Sequence, residues 1–113
     1  MSHAHTNTRL AALDALKATI NNIVALRQGE NLSFLDVDVN LTRMLKNVNT
    51  LGTLLDEDHI LPIVVATMPF HNGDIELRPN AQGRLCMEDK SALLDLHETL
   101  ADVYHSLAEP VCA

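Results

Sequence analysis

Apolar residues recur along this chain in steps of three and four, and the phase of those steps marks out its elements. Leu10, Leu13, Leu16, Ile20 and Ile23 follow helical spacing, which predicts a first helix over 7–28. Asn7 or Thr8 is placed to cap its start and Gly29 to end it, leaving 1–6 as a flexible tail. The second helix carries a stronger signature. Ser33 and Asp36 have the capping-box spacing, in which the hydroxyl and the acid each satisfy a free N–H of the other's backbone. Phe34, Val37, Leu41, Met44, Val48, Leu51 and Leu55 then repeat with a period of seven, the spacing of helices that pack nearly parallel along a long seam.

A helix over 33–58 is long for so short a chain. Its stretch from Phe34 to Leu55 spans about 33 Å at the α-helical rise, roughly the diameter of a compact domain of this length. An elongated helical hairpin follows, turning through Gly29–Leu32. The acids Asp56, Glu57 and Asp58 fall where the macrodipole of this helix is negative, so it is predicted to stop there.

The segment 60–87 reads differently. Ile60–Phe70 is apolar on every side and holds Pro62 and Pro69, so its period does not choose between a strand and a short helix starting at Pro62. Asn72-Gly73 marks a turn, Pro79–Gly83 a second, and the alternation of 75–78 and 84–87 predicts a β-hairpin over 75–87. A last helix is predicted over 88–109, with Leu93, Leu96, Leu100, Val103 and Leu107 on its inner face. The predicted fold is therefore one domain over 1–113, mainly α with a minor α+β character. Its expected architecture is a helical hairpin plus C-terminal helix forming a three-helix bundle, with a small β-hairpin insert.

Composition agrees with helices. Leu supplies 19 of the 113 residues while Phe, Tyr and Trp together supply three, and sheet cores draw instead on β-branched and aromatic side chains. The 47% apolar content is ample for a core and argues against intrinsic disorder. A net charge of −7 opposes binding to a phosphate backbone or an anionic membrane surface, so neither nucleic acid nor membrane is an expected partner. With no apolar run long enough to span a bilayer and a polar start without signal-peptide character, a soluble cytoplasmic protein is expected. Cys86 and Cys112 lack metal-ligand or redox spacing and read as free thiols.

Few residues suggest chemistry. Asp56–His59 and Asp102–His105 place a carboxylate three residues before a histidine, but di-metal bundles use inward-facing Glu-x-x-His pairs with further acids, and these residues fall on outward positions. His3 and His5 belong to the tail, and His59, His71 and His97 read as solvated surface. Ser91 and Ser106 lack a nucleophile elbow, and no phosphate loop or metalloprotease motif occurs. No catalytic residue, cofactor site or metal site is predicted.

Surfaces remain. The last helix region carries six acids against Lys90, and Asp95, Glu98 and Asp102 are the candidates for an acidic docking face. Val39, Leu45 and Leu54 lie off the seven-residue seam, so the second helix is apolar on more than one side. This points to a homodimer, with Phe34, Val37, Leu41, Met44, Val48, Leu51 and Leu55 as the interface candidates. The expected function is a non-enzymatic, homo-oligomeric protein-interaction or regulatory module, with a further protein partner open and a small-ligand or metal-binding bundle as the alternative. In size, acidity and amphipathic helices the chain loosely resembles bacterial secretion chaperones and other small adaptors, with no residue motif carrying the likeness.

Overall fold

A computed structural model describes residues 2–108, with side chains from Asn7 onward. It contains four helices, α1 (Ser2–Gln28), α2 (Phe34–Leu54), α3 (Glu57–His71) and α4 (Met87–Ala108), and no strand among the described residues. The helices run up, down, up and down in an elongated bundle of 53 × 23 × 22 Å. α1 packs along both α2 and α4, whereas α3 packs mainly on α4 and less on α2. α1 and α3 are not packed together.

The second helix forms as its cap dictates. Ser33 Oγ accepts from the Asp36 N–H at 3.0 Å and the Ser33 N–H donates to Asp36 Oδ2 at 2.9 Å, closing the capping box. The Ser33 N–H, then the Ser33 hydroxyl, hold the Asp36 carboxyl below its usual range. The chain turns between α1 and α2 through 29–33, where the left-handed residue is Asn31, at φ 57°, and not Gly29.

Three boundaries depart from the sequence reading. The helix of 33–58 stops at Leu54, and Leu55 is its extended C-cap. The acids that follow begin a new helix: Asp56 is the N-cap of α3, accepting from the His59 N–H at 3.0 Å, and Glu57 and Asp58 occupy its first turn. Acids at a helix start face the positive end of the macrodipole, so the same charges that disfavour continuation of α2 favour initiation of α3. α1 begins at Ser2 rather than Asn7, so the backbone of 2–6 forms its first turns instead of a separate tail. Its N-terminal half is held by Arg9, which donates through Nε to the Leu107 carbonyl at 2.7 Å and satisfies an end of α4. The side chains of His3 and His5, and residues Glu109 and Cys112, lie outside the described residues.

The β-hairpin over 75–87 is absent. The alternation that suggests it is real, because Leu77 and Leu85 are buried while Glu76, Arg84 and Cys86 are exposed. Its backbone bonds go elsewhere. Asn31 N–H donates to the Gln82 carbonyl at 3.2 Å and Leu32 N–H to the Gly83 carbonyl at 2.9 Å, so the 72–86 connection clips onto the α1–α2 turn. An Asx turn at Asn80, whose Oδ1 accepts from the N–H groups of Gln82 and Arg84, shapes the clip. Arg84 and Glu30 pair across it at 2.8 Å.

The core runs the length of the bundle. Leu16, Ile23, Leu26, Val37, Met44, Leu51, Ile63, Leu93, Leu96 and Leu100 are all fully buried. Two buried hydroxyls interrupt it without being left unpaired, since Thr19 donates to the Ala15 carbonyl and Thr67 to the Ile63 carbonyl one turn back. No helix among the described residues is long and apolar enough to cross a membrane.

Candidate functional site

The seven-residue seam of α2 faces inward. Val37, Met44, Val48 and Leu51 are buried in the chain's own core, and Leu41 and Leu55 are half-buried against it. α1 already packs along this seam, so of the seven interface candidates only Phe34 stands out in solvent, at 65% exposure.

Leu35 and Val39 of the same helix are exposed beside Phe34, and a longer uncovered apolar stripe lies on α3. This helix is apolar all round, and one side of it, Ile63, Thr67 and Phe70, is buried against the bundle. Its other side is not. Leu61, Val64, Val65 and Met68 are 50%, 40%, 64% and 47% exposed. Their spacing of three, one and three places them in one stripe along the outer side of the helix. The reason is topological: α3 is flanked by α4 and the turn to α2, and no further helix among the described residues lies over it. Single exposed apolar residues are ordinary, whereas these four are contiguous along one side of the helix.

Near the start of α3, Asp56, His59 and Ser106 come together. Asp56 Oδ1 lies 2.6 Å from His59 Nδ1, and His59 Nε2 lies 3.5 Å from Ser106 Oγ. The His59 N–H, then its ring, hold the Asp56 carboxyl below the usual range. Order and chemistry mimic a carboxylate–imidazole–hydroxyl relay, yet among the described residues the groove they border has no side chain placed as an oxyanion donor. Thr99's hydroxyl donates to the Asp95 carbonyl, and Asp102, the charged side chain lining that groove, has the wrong sign. The trio therefore reads as a tie between the α3 cap and α4.

The other carboxylate–histidine pair separates. Asp102 lines the groove beside His59, while His105 stacks edge-on to Tyr104, with ring centroids 6.1 Å apart, on the α1 side. Among the described residues no three His, Cys, Asp or Glu side chains converge as metal ligands. His71 is exposed as expected, but His97 is half-buried with Nδ1 shut off from solvent, because it follows Leu93 by one turn along the packed side of α4. Cys86 is free and exposed. Asp95, Glu98 and Asp102 are all exposed on one flank of α4.

No family model, curated protein or solved structure matches this chain.

Proposed function

We propose that the protein is a non-enzymatic, homo-oligomeric interaction module whose contact element is helix α3. The observation that carries this reading is the exposed stripe Leu61, Val64, Val65 and Met68. Apolar side chains that neither fill the core nor cap a helix have no role in holding this chain together, and leaving them wet forfeits burial energy that an interface would recover. The acidic flank of α4, with Asp95, Glu98 and Asp102 exposed, gives the module a second surface with polarity suited to a basic protein partner. The net charge of −7 argues against nucleic acid and anionic membrane in that role.

Sedimentation equilibrium tests the reading. Wild type is expected to exceed the 12.4 kDa of one chain at tens of micromolar or above, and Val65→Asp is expected to return it to that mass with its helical circular dichroism intact. A wild type that stays at one chain's mass throughout, or a Val65→Asp variant that self-associates as wild type does, overturns it.

A further inference from the structure

One stretch of this acidic molecule is positive. All fifteen Asp and Glu residues fall outside 15–26 of α1 and 39–54 of α2, and the charged residues within those two stretches are Lys17, Arg43 and Lys46. The middle of the α1–α2 hairpin therefore carries a positive band, on a chain of net charge −7. Arg43 and Lys46, one turn apart on α2, border a groove of about 350 Å³ between the two helices, lined otherwise by Ala18, Asn21, Asn22 and Asn47. Other arginines are engaged elsewhere: Arg9 donates to the end of α4, Arg78 pairs with Glu76 and Arg84 with Glu30. Arg43 and Lys46 are exposed and form no ion pair among the described residues, although Asp38 shares a second cleft with them along α2.

The amides in the groove are held in place. Asn47 Nδ2 donates to Asn22 Oδ1 at 3.0 Å across the helix interface, and both side chains are half-buried. That bond uses one donor and one acceptor, so the Asn22 amide N–H groups and the Asn47 carbonyl keep hydrogen-bonding capacity for a ligand. Groups fixed before binding lose little entropy when a ligand arrives.

We propose that the α1–α2 groove binds a small phosphorylated polyol, its phosphoryl group between Arg43 and Lys46 and its hydroxyls on the asparagines. The guanidinium offers a planar fork to two phosphoryl oxygens and the ammonium a point charge, while amides both donate to and accept from hydroxyls. The groove's volume falls in the range of small-molecule sites. Net charge does not oppose such a ligand as it opposes a long polyanion. The shorter acid-free stretch runs about 18 Å along its helix, so a phosphoryl group at its middle lies about one Debye length from the acids beyond either end. An acidic peptide would set its carboxylates in a row, whereas these two cations border a single concavity. The site lies on α1 and α2 and stands independently of the reading of α3.

The side-chain amide NMR signals of Asn21, Asn22 and Asn47 in the full chain report on the groove directly. Titration with glycerol 3-phosphate at constant ionic strength is expected to shift them along one saturating curve, with inorganic phosphate binding more weakly and glycerol not at all. Arg43→Gln/Lys46→Gln is expected to weaken binding about tenfold or more, as loss of charge-assisted hydrogen bonds requires, with the backbone spectrum otherwise retained. Lys90→Gln, which removes a cation from α4 instead, is expected to leave the curve unchanged. Shifts that never saturate, that persist in Arg43→Gln/Lys46→Gln, or that weaken equally in Lys90→Gln would overturn the site. Equal affinity for inorganic phosphate would overturn the polyol assignment. Saturation of the same amides by a glutamate-rich peptide but not by glycerol 3-phosphate would overturn the small ligand in favour of an acidic protein segment.

Discussion

Gly83 lies directly against the backbone of Asn31: a Cβ placed on it would come within 2.4 Å of Asn31 Cα and 2.3 Å of Leu32 N. Gly83 is also left-handed, at φ +72°. Both features follow from the clip in which the Gly83 carbonyl accepts from the Leu32 N–H, joining the 72–86 connection to the α1–α2 turn. Gly83→Ala therefore has two costs, the left-handed strain of roughly 1–2 kcal/mol and a backbone displacement. Gly73, at φ +79°, has only the first, because a Cβ there meets nothing. Chemical denaturation is expected to show Gly83→Ala losing at least ~1 kcal/mol more than Gly73→Ala. Equal losses would mean that the clip does not hold the two turns together.

Gly52 is the opposite case. It lies inside α2 and is exposed, and a Cβ added there would meet nothing within 4 Å, so this glycine contributes only backbone freedom to the unfolded chain. Gly52→Ala is expected to stabilise the fold by about 0.5–1 kcal/mol, seen as a raised melting temperature. Destabilisation would imply that α2 needs a bend at this point.

Burial separates α2 from α3 as sharply. Met44, on the α2 seam, is fully buried, and Met44→Ala is expected to cost about 2–5 kcal/mol. Val65→Ala, measured where the chain is dilute, is expected to change stability by no more than about 0.5 kcal/mol. A large loss for Val65→Ala in dilute solution would show that its side chain packs within its own chain.

The two cap carboxylates set the acid response. Asp36 and Asp56 have folded-state values below the usual 3.8, so the stabilisation they give is fully present above that value and is lost as pH falls through the depressed folded value. Thermal melts from about pH 5 down to about pH 2.5 are expected to fall less steeply for Asp36→Asn than for wild type. Parallel curves would show that the capping-box carboxylate is not coupled to folding.

The parts of the fold that are legible in the sequence are those whose signal is local and directional. The Ser33–Asp36 cap and the seven-residue seam of α2 state both a start and a facing side, and the leucines of α4 do the same. α3 is hidden because Ile60–Phe70 is apolar on both sides and so has no phase, and because its initiating acids also fit the end of the preceding helix. The hairpin is a false signal because alternation reports an extended chain with one buried side. It does not report what the backbone pairs with, and here Gln82 and Gly83 accept from Asn31 and Leu32. The α2 seam is legible only in part, for a related reason. A heptad seam shows that a helix packs against something, and α1 of the same chain supplies that partner, while Phe34, Leu35 and Val39 of α2 and the outer stripe of α3 stay exposed.

Whether a second chain covers the outer face of α3 can be read from methyl NMR spectra recorded over a dilution series. The methyl signals of Leu61, Val64, Val65 and Met68 are expected to shift together with concentration along one binding curve, while those of the buried Leu16, Leu96 and Met44 stay fixed. Concentration-independent signals at all four α3 positions, up to the highest concentration reached, would contradict a dimer built on this helix.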